Sequence, residues 1–176
     1  TMKSTQKLHE VGQSLWLDNI TRELLNSGTL KRYIDDLTVT GLTSNPTIFQ
    51  KALAEGDLYD AQLREVAAAT DDAVEIFFAL AMDDIREACD LMRPVWERTA
   101  GVDGWVSLEV SPLLAYDTQS TLAAARELHA RAARPNLFIK IPGPAEGLPA
   151  IEEATFAGVP INVTLLFSTA HYVAAA

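Results

Sequence analysis

Cysteine is nearly missing from this chain: Cys89 is the only one in 176 residues. A single thiol excludes an intrachain disulfide and fits a reducing compartment. Basic clusters are missing too. Lysine and arginine number 14 against 24 acidic residues, for a formal net charge of -10, and no Lys/Arg-rich block stands out. That balance argues against nucleic acid or an anionic membrane surface as partner. It leaves room for a phosphorylated small molecule, which needs only a few local cations or helix N-termini. Long apolar runs are absent as well. The purest one, residues 76–82, is far too short to span a bilayer, and no charged-then-apolar leader opens the chain. The expectation is a soluble, cytoplasmic protein, with Thr1 read as a residue added ahead of Met2. There is no Gly-x-Gly-x-x-Gly and no phosphate-loop signature, so a nucleotide-binding doubly wound sheet lacks its main support. His9, His129 and His171 show no metal-ligand spacing and read as structural or surface residues, so no metal site is expected.

What is present is alternation. The length fits one domain with a sizeable core. A short polar helix is expected over 5–11 and a strand over 14–17. Thr21 caps a helix through Leu25 that Gly28 stops, and a second short helix covers 30–37. A β-branched strand at 38–43 follows. Ser44 or Asn45 then caps a helix with Pro46 at its first position, running to about Ala54. Apolar spacing predicts a helix over 57–69. Another is opened by Asp71 or Asp72, with Val74, Phe77, Phe78, Met82, Ile85 and Ala88 on one stripe. Pro94 is expected to divide that helix from a last turn or two through Arg98. The stripe, Met82, Met92 and the aromatics read as core. A strand at 105–110 precedes a long helix capped by Thr118 and running to Ala133. Asn136-Leu137-Phe138-Ile139-Lys140-Ile141-Pro142-Gly143 is a fourth strand closed by breakers. A helix over 147–157, a strand over 160–167 and a final helix capped by Ser168 complete the chain.

No Asn-Gly or Asp-Gly turn joins consecutive strands, so alternation means parallel strands with helical crossovers. The expected fold is α/β, a TIM (β/α)8 barrel of which about the first five strands are here. A barrel needs about 250 residues and about 200 at the least. Residues 1–176 therefore read as the N-terminal part of a single barrel domain, apparently incomplete.

The fourth strand holds a lysine inside its apolar run. Burying an ammonium is costly, and the neutral amine that burial favours is a nucleophile whose usual chemistry is a Schiff base with a carbonyl. From this stretch alone the bland alternative, a lysine whose head reaches out to water, is the favoured reading, and the rest of the chain changes that. Catalytic groups of a barrel sit at the C-terminal ends of its strands. Every strand offers one there: Asp18, Asn45, Glu109, Lys140, and the same-face pair Asn162 and Thr164. Lys140 would capture an electrophilic carbon, two carboxylates would divide proton transfer, and Asn and Thr would bind hydroxyls or orient a water. Taken singly, each has a plainer explanation. Asp18 and Asn45 suit helix caps or turns, Glu109 an ion pair, and Thr164 an ordinary strand position.

Together these residues resemble the transaldolase family. The motifs that carry the likeness are Trp16-Leu17-Asp18, Gly41-Leu42-Thr43-Ser44-Asn45-Pro46-Thr47-Ile48-Phe49, Val106-Ser107-Leu108-Glu109-Val110, Ile139-Lys140-Ile141-Pro142-Gly143 and Ile161-Asn162-Val163-Thr164-Leu165-Leu166-Phe167-Ser168. It runs from about Leu15 to Tyr172 in both order and spacing. The wording is nearest the longer bacterial transaldolases, including those fused to a phosphoglucose isomerase, although nothing here corresponds to such a fused domain. The resemblance implies that Lys140 forms the Schiff base, Glu109 is the acid/base residue acting through a water, and Thr164 holds that water. Asp18 moves the hydroxyl proton as the C3–C4 bond breaks, and Asn45 and Asn162 hold the dihydroxyacetone part. It implies sugar-phosphate substrates, no metal or organic cofactor, and a place in the pentose phosphate pathway. It also implies that the phosphate-binding serine and arginine follow later strands. A missing C-terminal half or a homo-oligomeric copy is the expected partner. Pro144 stands where the family pattern has threonine. The rival readings are a fructose-6-phosphate aldolase, and an inactive fragment that needs a second chain. The aldolases generally have glutamine in place of Glu109 and lack the helical insertion at 58–98.

Overall fold

The computed structural model describes residues 2–54 and 56–176, so the reading of Thr1 lies outside the described residues. Five strands follow one another in the sheet in chain order: β1 (Leu15–Asp18), β2 (Val39–Thr43), β3 (Trp105–Glu109), β4 (Leu137–Pro142) and β5 (Ile161–Thr164). β1 runs parallel to β2, and β4 parallel to β5. Sequential parallel strands with helices between them are the opening of a (β/α)8 barrel, as the alternation predicts. The chain forms two compact units, Thr1–Val106 and Ser107–Ala176, with the division inside β3.

The first unit holds α1 (Ser4–Glu10), α2 (Arg22–Asn26), α3 (Thr29–Leu37), α4 (Pro46–Ala54), α5 (Asp60–Ala67) and α6 (Ala73–Arg98). Their starts follow from side-chain oxygens that take up orphan N–H groups. Thr21 Oγ1 accepts from the Leu24 N–H at 3.2 Å, and Asp72 Oδ1 from those of Val74 and Glu75. Two expectations change here. Residues 57–59 form a turn, with the Asp60 N–H on the Asp57 carbonyl, so α5 starts at Asp60. α6 runs unbroken for 26 residues through Pro94. Proline forfeits one helical hydrogen bond, but Met92 and Val95 on either side are buried, and that packing keeps the helix going. One face of β2 packs towards α3 and α6 and includes the fully buried Leu42. The other face carries Gly41 and Thr43, whose register partners on β1 are Trp16 and Asp18.

The second unit holds a 3-10 turn (Pro112–Leu114), α7 (Thr118–Ala132), α8 (Gly147–Phe156) and α9 (Thr169–Ala175). Leu137, Ile139 and Ile141 alternate along β4 and are fully buried on the side of α7 and α8. Leu122, Ala125, Leu128, Ala150 and Ala154 supply the helical half of that core. Phe138 and Lys140 therefore point to the face these helices leave bare. The cap of α7 is Asp117, whose side chain accepts from the Ser120 N–H at 3.0 Å. Thr118, the expected cap, instead donates its hydroxyl to the Glu146 carbonyl at 2.6 Å. β5 ends at Thr164 instead of reaching Phe167, because Leu165 takes a left-handed φ of 62° and breaks the strand. Ser168 caps α9 as expected, accepting from the His171 N–H at 3.1 Å. Among the described residues, no helix is long and apolar enough to cross a membrane.

Candidate active site

Lys140 sits two residues before the end of β4, and the Val110 N–H donates to its carbonyl at 3.1 Å. That ladder bond brings the last residue of β3 beside it. Lys140 Nζ lies 3.1 Å from Glu109 Oε2, with the two side chains only 15% and 12% exposed. An ion pair this far from water is costly to break from one side, because removing either partner strands a buried charge. On the other flank, the β4–β5 register sets Asn162 opposite Lys140 and Thr164 opposite Pro142. Partners in a parallel ladder point to the same face, so Asn162 and Thr164 share the Lys140 side. Asn162 Nδ2 donates to Ser107 Oγ at 3.0 Å. Ser107 is two residues before Glu109 on β3, so it belongs to that face too.

The second unit thus gathers an amine, a carboxylate, an amide and two hydroxyls on a sheet face without helices. Four of the residues expected from sequence meet there: Lys140, Glu109, Asn162 and Thr164. Ser107 completes the group. It stands inside a quoted motif, and the two-residue strand period from Glu109 is the signal that points to it. Such a set can condense a carbonyl with the amine while the carboxylate passes the proton. Pro144, the departure after Gly143, opens the turn into α8. Its carbonyl accepts the Gly147 N–H at 2.9 Å, so the turn uses the acceptor that proline keeps.

In the first unit, Asp18 ends β1 on the exposed side of the strand, opposite Thr43. The Thr43 hydroxyl is buried with no hydrogen-bond partner among the described residues. Asn45 follows β2, and its Oδ1 accepts from the Ile48 N–H at 3.1 Å, so it caps α4. The plainer role of Asn45 is therefore real, and its amide nitrogen is the group that this cap does not engage.

A second polar cluster in this unit has no counterpart in the sequence reading. Asp84 on α6, only 2% exposed, accepts from Arg22 Nε at 2.8 Å and from the Tyr59 hydroxyl at 2.6 Å. The Arg22 N–H donates back to the Tyr59 oxygen at 3.0 Å, and Arg22 Nη2 donates to Gln62 Oε1 at 2.7 Å. Burial raises the Asp84 carboxyl above its ordinary range, while the hydrogen bonds from Tyr59 and Arg22 oppose the shift. Burial and the neighbouring Asp84 together push the Tyr59 hydroxyl well up. The cluster ties α2, which starts just after Asp18, to α5 and α6.

A family model described as Transaldolase/Fructose-6-phosphate aldolase matches residues 15–176. A transaldolase of Thermobifida fusca is 53% identical over 167 residues, covering 95% of this chain and 45% of that protein. One from Mycobacterium tuberculosis is 49% identical over 165 residues, covering 94% and 44%. One from Trichodesmium erythraeum is 44% identical over 167 residues, covering 95% and 44%. The chain thus spans less than half the length of the curated relatives it matches.

Proposed function

This chain belongs to the transaldolase/fructose-6-phosphate aldolase family, and from that premise we propose that the protein is a transaldolase working through a Schiff base on Lys140. The observation that carries the reading is the 3.1 Å contact between Lys140 and Glu109, with Asn162 on the next strand. The Lys140 amine, its proton passed on by way of Glu109, attacks the C2 carbonyl of a ketose phosphate. Glu109, through a water held by Thr164, protonates the leaving hydroxyl of the carbinolamine, and water departs to leave the iminium. The Asp18 carboxylate then takes the C4 hydroxyl proton. The C3–C4 bond breaks, its electron pair flows into the iminium, and an aldehyde phosphate leaves. The enamine that remains, held by Asn45 and Asn162, adds to an acceptor aldehyde, whose new hydroxyl recovers the proton from Asp18. Hydrolysis frees the product and returns Lys140. The substrates in this reading are sedoheptulose 7-phosphate and glyceraldehyde 3-phosphate, in the cytoplasmic pentose phosphate pathway.

Two features favour a transaldolase over a fructose-6-phosphate aldolase: glutamate, not glutamine, at position 109, and the helical insertion, which appears as α5 and α6. The test is intact-protein mass spectrometry after adding fructose 6-phosphate and borohydride. The expected result is a reduced three-carbon adduct that peptide mapping places on Lys140 and that Lys140→Met abolishes. An adduct on another lysine, or none in the full-length protein, overturns the reading.

A further inference from the structure

Trp16 lies two residues before Asp18 on β1 and is 38% exposed within these 176 residues. Leu17 points to the opposite face, so Trp16 and Asp18 share one. Their register partners on β2 are Gly41 and Thr43. The Trp16 indole lies directly over Gly41: a Cβ added there would meet three of its ring atoms at 2.4, 2.5 and 2.7 Å. Real contacts of that length do not occur, so any side chain at position 41 must drive the indole out of its seat. Neighbouring same-face positions on a strand are about 7 Å apart. Asp18 and Thr43 stand in the next row on that face, beside the indole.

We infer that Trp16, laid over Gly41, is a positioning residue: its indole braces the row beside Asp18 and so holds that carboxylate in place. The inference rests on the transaldolase reading above, in which Asp18 receives the C4 hydroxyl proton during C3–C4 cleavage. Gly41 is then a requirement of the site and not only of the sheet. Supporting a catalytic group matters because a displacement of about 1 Å can cost about a hundredfold in rate.

The test compares the full-length protein with Gly41→Ala, Trp16→Ala and the double variant. Each is mixed with fructose 6-phosphate, quenched with borohydride at short times and weighed, with thermal unfolding recorded beside it. Schiff-base formation needs Lys140 but not Asp18; cleavage of the C3–C4 bond needs both. Wild type is expected to trap the three-carbon adduct. Gly41→Ala is expected to trap mainly the intact six-carbon phosphate adduct, with cleavage slowed about a hundredfold. Removing the indole relieves the collision, so the double variant is expected to cleave about tenfold faster than Gly41→Ala and at the rate of Trp16→Ala. A Gly41→Ala protein that traps the three-carbon adduct at the wild-type rate overturns the inference. So does a double variant no faster than Gly41→Ala, and so does a lowered melting temperature with the wild-type adduct pattern, which marks a purely structural pair. Failure of the transaldolase reading shows itself separately, because the wild type then traps no adduct.

Discussion

The Tyr59 hydroxyl donates to the buried Asp84 and accepts from the part-buried Arg22 backbone, so one oxygen satisfies two groups. Tyr59→Phe leaves both without it. The expected loss is about 1–3 kcal/mol, read from the urea midpoint with an unchanged slope. Asp84 adds a pH signature. Its carboxyl is raised from the ordinary 3.8, so the native state holds the proton more tightly than the unfolded chain does. Its contribution to stability is complete below that ordinary value and is lost as pH rises through the native one. The stability of wild type relative to Asp84→Asn should therefore be greatest in acid and should decline across that window, as urea midpoints at a series of pH values would report. No local pattern announces this cluster, because Arg22 and Tyr59 are 37 positions apart and Tyr59 and Asp84 another 25. Lys140 and Glu109 were legible for the opposite reason. A charge inside a short apolar strand conflicts with its surroundings, and the conflict can be seen within a few residues.

Helices and strands announced themselves through breakers and caps, and the misses lie where two local signals compete. At α7, Asp117 and Thr118 are both capping types. Asp117 takes the role and Thr118 ties the helix to the residue before α8. The Ser120 N–H and hydroxyl hold the Asp117 carboxyl below its ordinary value of 3.8. For a lowered carboxyl, the stabilisation is present above that value and disappears as pH falls through the native one. Asp117→Ala is expected to unfold at lower urea than wild type near neutrality, with the gap closing in acid; a gap that does not change with pH would assign the effect to something other than the cap. At Pro94 the local rule for helix ends was overruled by burial of the neighbouring turns. At Leu165 nothing in an apolar run reveals where a left-handed residue will stop the strand.

The order of the sheet was legible throughout, since the absence of hairpin turns leaves parallel crossovers as the simple way to join these strands. Which side of the sheet the helices leave bare also follows from alternation, and β4 displays it most clearly, with Ile139 and Ile141 towards the helices and Lys140 away from them. The charge balance makes its own prediction. With a formal net charge of -10 and an isoelectric point near 4.6, the 176-residue chain should be least soluble close to that pH, as turbidity across a pH series would show. The indole seated over Gly41 bears on the history of the sequence. A change at position 41 is blocked while the tryptophan is present, whereas a smaller residue at position 16 opens the way to it. The two positions can therefore diverge in only one order, and lineages that kept the tryptophan should have kept the glycine with it.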